Sequence, residues 1–318
     1  MENKDKIYRR RGIIEILMTY TKEDYAAAAF LLCATVSIMA LLLIFFFLFV
    51  NGLPAIGEIG FLNFVTGRNW RPMDIPPTFG ILPMIAGSIY ITIGAVVLGV
   101  PIGIFTAIFL AFMCPKKLYI ILKPAVNLLA GIPSVVYGFF GMVVIVPLVR
   151  AWSIRSIGGG SGQSMMAAMI LLGIMILPTV INISESALRA VPGTYYEGAL
   201  ALGASHTRAV FFIVLPAAKS GVFASVILGI GRAVGETMAV IMVAGNQARM
   251  PGGFVEIFRE GGLFRGARSL TANIVMEMGY AADLHRHALI ATGIILLLFI
   301  LIINIIFTLV TRKGIKYE

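Results

Sequence analysis

Charged residues are scarce in this 318-residue sequence, at 13% of the chain, whereas 59% of its residues are hydrophobic. A soluble domain of this size carries far more charge, so the composition excludes a soluble protein and predicts a polytopic membrane protein. The formal net charge of +10 does not indicate nucleic-acid binding. The basic residues lie in short segments between apolar runs, where they set the orientation of the spans in the lipid membrane.

Cysteine and the residue sets of catalytic sites are equally sparse. The two cysteines, Cys33 and Cys114, lack the spacing of a disulfide or of a metal site. A Lys-Ser pair follows Ala218, where a nucleotide-binding loop requires glycine. No Ser/His/Asp or Cys/His set is visible; His285 and His287 could bind a metal, but an isolated His-x-His pair is more often solvated. We therefore predict that the chain is not an enzyme and holds no cofactor.

Long apolar runs are present instead, and they predict an all-α protein with six transmembrane helices, since each is long enough for a hydrocarbon core of about 30 Å. Their predicted bounds are 26–50, 79–113, 124–149, 164–188, 221–245 and 287–310. The tail 1–25 is polar, and the first run is too long for the apolar part of a cleavable signal peptide. We expect a membrane core at 79–311, with an inner loop at 189–217 and an outer loop at 246–286.

The other connections carry three local predictions. The loop 51–78 contains aromatic residues suited to a membrane interface, which are Phe61, Phe64 and Trp70. Pro133 predicts a kink or a broken segment inside the third span, with simple packing as the alternative to a role in a pathway. The glycines of 158–162 predict a flexible linker rather than a phosphate-binding nest, because no strand precedes them.

The polar stretch between the fourth and fifth spans predicts a short helix outside the bilayer. Pro192 suits its start, Glu197 falls near the first turn and the positive end of the helix dipole, and Gly203 suits its end. An apolar ridge is expected from Ala199, Leu200 and Leu202. Such a helix suits the groove of a partner protein, although a solvated connector is the alternative interpretation.

Two ionisable residues lie inside the fifth span. Arg232 and Glu236 are spaced i, i+4, so a continuous helix places them on one face near the middle of the bilayer. Charges at that depth must face protein or water. A structural ion pair is one interpretation. An anion pathway is the other, because the planar guanidinium suits a tetrahedral oxyanion and the carboxylate would let the anion leave.

The inner loop resembles a known motif. Its residues match the EAA loop of ABC-importer permeases at Glu197, Ala199, Gly203, Ile213, Leu215 and Pro216. Gly198 departs from that pattern, which has alanine there. The resemblance implies a type I importer permease fold, and it implies that 189–217, the coupling loop, is cytoplasmic and docks into an ATP-hydrolysing subunit.

Longer strings refine this resemblance. GRAVGETMAV at 231–240, GIPSVVYGFFG at 131–141 and the aromatic first outer loop are similar to the C-type permease of bacterial phosphate-specific ABC transporters. The family implies import of inorganic phosphate by a heterodimer with an A-type phosphate permease. It also implies two copies of a P-loop ATPase and an extracytoplasmic phosphate-binding protein. A sulfate or molybdate permease is the main alternative, and a secondary anion transporter or a channel is less well supported.

The distribution of basic residues tests the orientation of the chain in the membrane independently of the resemblance. The predicted inner segments carry 15 lysines and arginines, against 9 in the predicted outer loops. The positive-inside rule therefore agrees with a cytoplasmic coupling loop. An even number of spans then puts both termini in the cytoplasm, and we expect a multi-pass protein of the inner membrane of a prokaryote.

Overall fold

A computed structural model describes residues 22–251 and 261–315 of the chain. Most of the predicted tail 1–25 and part of the outer loop 246–286 lie outside the described residues. The chain divides into two compact units, Met1–Asn51 and Gly52–Glu318. The first unit is, where described, one apolar helical stretch, and the second contains the elements that follow it.

Helices dominate both units, and we number the described elements in chain order. They are α1 Lys22–Ile59, α2 Phe61–Thr66, β1 Trp70–Arg71, β2 Thr78–Phe79, α3 Leu82–Ile108, α4 Lys116–Gly131, α5 Ser134–Phe140, α6 Val146–Ile157, α7 Met165–Arg189, α8 Gly193–Ala201, α9 His206–Ala209, α10 Leu215–Ala217, α11 Lys219–Gly235, α12 Met238–Val243, α13 Leu270–Glu277 and α14 Asp283–Ile315. Turns of π-helix extend α3 and join α5 to α6 and α9 to α10, and their bounds are Phe109–Met113, Gly141–Ile145 and Val210–Val214.

Five helical stretches in the described part are long and apolar enough to cross a membrane. They are Tyr25–Ile59, Leu82–Met113, Ser134–Ser156, Met165–Arg189 and Asp283–Ile306. The pair His206–Ala217 and Lys219–Gly235, bent by 71°, makes a sixth if it counts as one span. The predicted helical, multi-span architecture is therefore confirmed, with one two-stranded hairpin besides the helices.

The third span differs from the predicted 124–149. The residues from Lys116 to Gly131 form the separate helix α4, and the span itself runs from Ser134 to Ser156. Ile132 is extended, at φ −70° and ψ 127°, because the residue before a proline avoids the helical region. Pro133 therefore starts a span instead of kinking its middle.

The centre of the second unit is a close contact between α3 and α7. A Cβ atom at Gly99 would lie 2.6 Å from the carbonyl oxygen of Gly173, and one at Gly103 would lie 2.7 Å from a methyl of Val180. Only glycine permits this approach, as is usual where transmembrane helices pack closely. Leu171 and Ile176 of α7 are fully buried there.

A short antiparallel hairpin closes one end of the second unit. Trp70 of β1 pairs with Phe79 of β2, and both rings are buried beside Phe64. Phe64 and Trp70 therefore form a local protein core, and their place at the membrane interface stays a prediction. Phe61, in contrast, is 53% exposed.

Candidate functional site

The fifth span is broken where one continuous helix was predicted. Helix α11 ends at Gly235, Glu236 is extended at φ −72° and ψ 125°, and α12 begins at Met238. The carboxylate of Glu236 accepts a hydrogen bond from the backbone N–H of Ala239 at 3.3 Å, which caps α12. The hydroxyl of Thr271 donates to the Glu236 carbonyl at 3.3 Å. These bonds satisfy backbone groups that the break would otherwise leave unpaired.

This break separates the two predicted site residues. Arg232 is half-buried on α11, and its Nη1 donates to the hydroxyl of Thr179 on α7 at 3.1 Å. Among the described residues, Arg232 and Glu236 form no ion pair with each other. The prediction that they share a helix face is therefore wrong, because the i, i+4 geometry requires helical backbone at Glu236. Sequence reasoning also missed Thr179, which has no motif of its own.

Open space lies beside the end of α11. A Cβ atom built at Gly231 or Gly235 would meet no atom within 4 Å, whereas one at Gly229 would lie 3.2 Å from Val180. Gly231 and Gly235 therefore adjoin unfilled space, and Gly229 serves packing against α7. Half-helices that end beside such space are the usual way for membrane proteins to place polar groups at depth.

Glycines of the third span hold the second half-helix in place. A Cβ atom at Gly138 would lie 3.1 Å from the Cα of Ala239, and one at Gly141 would lie 2.8 Å from a methyl of Val243. The string at 131–141 and the string at 231–240 are therefore in contact across the two spans.

In the coupling loop, α8 ends at Ala201, and Gly203 forms the turn that terminates it. Gly203 has a φ of +85° and donates to Leu200 O at 2.9 Å, while Ala204 donates to Ala199 O at 3.0 Å. This pair of bonds is the Schellman arrangement that a left-handed glycine allows. The predicted end at Gly203 is therefore correct. Helix α8 starts at Gly193, one residue after Pro192, so Glu197 lies in its second turn and not in the first.

The predicted apolar ridge of α8 is split between two faces. Ala199 is buried at 5% exposure, whereas Leu202 is 91% exposed. Two aromatic residues that the sequence interpretation did not single out are also exposed, Tyr195 at 55% and Phe212 at 74%. Leu215 is half-buried and Pro216 is exposed at the start of α10. The surface that the loop offers is therefore aromatic and leucine-rich, with Ala199 packed inward.

A buried carboxylate lies at the end of α7, two turns before α8. Glu185 is 2% exposed and pairs with Lys123 at 2.7 Å and with Arg189 at 2.9 Å. It also accepts a hydrogen bond from Tyr119 of α4 at 2.8 Å. That bond raises the pKa of the Tyr119 hydroxyl, and burial raises it further. The cluster ties α4 to the base of the coupling loop, and only the polar run at 182–185 hinted at it.

A second buried carboxylate joins the hairpin to the last span. Glu277 accepts from Trp70 Nε1 at 2.8 Å, lies 2.9 Å from His285 Nε2 and pairs with Arg268 at 2.5 Å. The interpretation of His285 as a solvated residue is therefore wrong. Tyr280 packs edge-on against His285, and burial raises its pKa, with Glu277 adding to the shift. No group of three metal-ligating residues occurs in the described part of the chain.

The folded features define a class of protein. Residues 99–315 match the family described as binding-protein-dependent transport system inner membrane component. A broken intramembrane helix and a short exposed coupling helix between spans are consistent with that family. The chain belongs to this family. It is a PstC-like type I ABC importer permease of the inner membrane, it works with ATPase and substrate-binding subunits, and it is not itself an enzyme.

Individual relatives agree with this assignment. The chain is 37% identical over 280 residues to the probable ABC transporter permease protein YqgH of Bacillus subtilis, with 86% of each chain covered. It is 30% identical over 310 residues to the phosphate transport system permease protein PstC of Mesorhizobium japonicum, covering 92% of this chain and 89% of that protein. An inward-facing structure of the MetNI methionine ABC transporter matches with a TM-score of 0.56 at 20% identity, covering 74% of this chain and 95% of that one. The last likeness supports the fold alone.

Proposed function

We propose that this chain is the permease subunit that carries inorganic phosphate through the membrane, driven by ATP hydrolysis in its partner subunits. The observation that carries the proposal is Arg232, a half-buried guanidinium held at the end of a broken span beside open space. Relatives named as phosphate transport permeases over most of the chain support the choice of cargo.

The hydrogen bonding of Arg232 leaves it able to bind an anion. A guanidinium has five N–H donors, and one of them goes to Thr179 in the described part of the structure. The remaining donors form a planar fork that matches two oxygens of a tetrahedral oxyanion. Thr179 holds the fork without neutralising it, because a hydroxyl carries no charge. Arg232 thus keeps the positive charge that a doubly charged anion requires.

Glu236 has a different role in this proposal from that of a salt-bridge partner. Its carboxylate caps α12, and it lies four residues after Arg232 in sequence, beyond the break. A negative charge near the pathway weakens the hold on the anion and so speeds its departure. A carboxylate can also accept the proton of hydrogen phosphate, which sulfate lacks. Glu236 therefore tunes the contact that Arg232 makes.

The coupling loop 189–217 is proposed to face the cytoplasm and to fill a groove of the ATPase subunit. Glu197, Gly203 and Pro216 are exposed on this loop, as a docking segment requires, while Leu215 is half-buried and Ala199 anchors α8 from within. Both termini are then cytoplasmic, 246–286 is external, and the second permease of the heterodimer is of the A-type. The core of this arrangement is 79–311.

The decisive experiment reconstitutes the permease pair with its ATPase in vesicles. Phosphate-loaded binding protein is expected to stimulate ATP hydrolysis and phosphate uptake, and sulfate-loaded binding protein is not. Arg232→Gln should abolish uptake, because a neutral amide cannot offset the desolvation of a doubly charged anion. Arg155→Gln, an exposed arginine at the end of α6, is the matched control and should transport normally.

Two results would overturn parts of this proposal. Equal stimulation by the sulfate-loaded protein would favour a sulfate or molybdate permease over a phosphate permease. Normal uptake by a well-assembled Arg232→Gln complex would remove Arg232 from the pathway while leaving the cargo assignment intact.

A further inference from the structure

The basic residues of this chain are sorted by type as well as by number. The predicted outer loops 51–78, 150–163 and 246–286 contain nine basic residues, and all nine are arginines. All nine lysines of the chain lie in the predicted cytoplasmic segments. Orientation in the membrane requires positive charge on the inside and gives no reason to prefer arginine outside. The planar fork of arginine, in contrast, is selected where carboxylates or other oxyanions are bound in two-point contacts.

Three of these arginines line one groove in the second unit. Arg68, Arg71 and Arg249 surround a cavity of about 650 Å³, together with Asn69 and Gln247. All five side chains are exposed, and the lining contains no acidic residue among the described ones. Arg71 makes one exposed contact with a neighbouring carboxylate, Asp74, at 3.5 Å. Such an exposed pair contributes little and is easily exchanged for another partner.

The fold fixes both walls of this arginine groove, defined by Arg68, Arg71 and Arg249. On one wall, Trp70 of β1 is buried and its Nε1 donates to Glu277, so the next side chain of the strand, Arg71, projects to the opposite face. Arg71 is therefore presented by an anchored strand.

The other wall starts from Asn246, which adopts a left-handed φ of 50°. Its side chain donates to Ile241 O at 2.6 Å, and its carbonyl accepts from Arg268 Nε at 3.1 Å. Arg268 also pairs with Glu277, the carboxylate that holds Trp70. One buried cluster thus positions both walls, and the groove is built before any partner arrives.

We infer that the arginine groove docks a carboxylate-bearing surface of the substrate-binding subunit. The inference depends on the proposed orientation, in which loops 51–78 and 246–286 face outward. Charge complementarity carries it: three exposed arginines, with no acidic residue in the lining that the structure describes, attract and orient an acidic protein surface. A free anion is a poorer occupant, because the guanidiniums are solvated and surround a wide opening, whereas a small ion needs buried donors that converge on it.

The test measures binding of the substrate-binding subunit to the assembled transporter in nanodiscs. The subunit used is the one that supports uptake by the wild-type complex, whichever oxyanion it carries, so the result does not depend on the phosphate assignment. The triple variant Arg68→Glu, Arg71→Glu, Arg249→Glu should weaken binding at low salt by about tenfold or more. The triple lysine variant, which keeps the charge, should lose less than the glutamate variant.

Controls separate docking from other effects. Arg155→Glu makes the same type of substitution at one position of another predicted outer loop and should leave the affinity within about twofold of wild type. Salt at about 0.5 M should shrink the difference between wild type and the triple glutamate variant, since exposed charges are screened. Elution of each variant as an intact complex of wild-type size shows that it has folded.

Three outcomes would overturn the inference. The first is an affinity of the triple glutamate variant equal to that of wild type. The second is an equal loss in Arg155→Glu, which would indicate a general field and not a groove. The third is unchanged affinity with reduced uptake, which would assign the groove to the free anion. Failure of the phosphate proposal, in contrast, appears as wild-type uptake of a different oxyanion and leaves the binding comparison readable.

Discussion

The hydrogen bond between Arg232 and Thr179 gives the sharpest test of how the broken span handles an anion. Nη1 of the arginine lies 3.1 Å from the threonine hydroxyl, which belongs to a different span. Thr179→Val removes the hydroxyl and keeps the shape of the side chain, and Thr179→Ser removes the methyl group and keeps the hydroxyl. The two variants thus separate hydrogen bonding from packing at one position.

The expected magnitude follows from the type of bond. A hydrogen bond to a charged group contributes about 1.5–3 kcal/mol, and Arg232 is only half-buried, so the lower end applies. About 1.4 kcal/mol corresponds to a factor of ten. If the bond holds the guanidinium in its productive position, Thr179→Val should lower the maximal uptake rate by about tenfold. Thr179→Ser should remain within about twofold of wild type.

The assay is initial-rate uptake into vesicles at saturating binding protein, normalised to the amount of assembled complex. ATP hydrolysis measured in the same vesicles reports whether the partner subunits still function. The opposite ranking would refute the reasoning: full uptake by Thr179→Val with impaired Thr179→Ser shows that the methyl group matters and the hydrogen bond does not.

Three further predictions concern other parts of the chain. Gly203→Val forces a branched residue into a left-handed turn, at a cost of about 1–2 kcal/mol, and should lower the ratio of uptake to ATP hydrolysis, whereas Gly198→Ala, in open space on α8, should not. In a variant without native cysteines, Gly159→Cys should react with an impermeant thiol reagent added outside and Lys117→Cys should react only after the membrane is opened; the reverse pattern contradicts the orientation. Because the pKa of Tyr119 is raised, its stabilising contribution should be fully present below its ordinary value of about 10 and lost as pH rises through the raised one. The melting temperatures of wild type and Tyr119→Phe should therefore differ at pH 8 and converge above pH 10, and a constant difference would contradict this assignment.

Much of the architecture could be predicted from patterns that act locally. The apolar runs marked the spans, because the bilayer requires about 20 apolar residues for each crossing. Gly203 ended α8 as expected, because a left-handed turn selects glycine from its immediate backbone.

Features that depend on distant partners could not be predicted in the same way. Trp70 was assigned to the membrane interface because an aromatic residue in a loop gives no sign of the carboxylate, 207 positions away, that binds it. His285 was assigned to solvent although Glu277 is only eight positions away, because the spacing does not show that the distant rings of Trp70 and Phe79 cover it. In each case the burial of a polar atom depends on the packing of the hairpin against residues far along the chain.

The broken span shows the division most clearly. The sequence by itself determined that Arg232 and Glu236 lie in an apolar stretch where charge is costly, and hence that they matter. Only the tertiary structure decided that they are not a pair. The hydroxyl of Thr271 on α13 donates to the carbonyl of Glu236, and the hydroxyl of Thr179 on α7 accepts from the guanidinium of Arg232, so separate elements hold the two residues at the break. Helix periodicity assumes that each segment satisfies its own hydrogen bonds, and that assumption fails where other elements supply the partners.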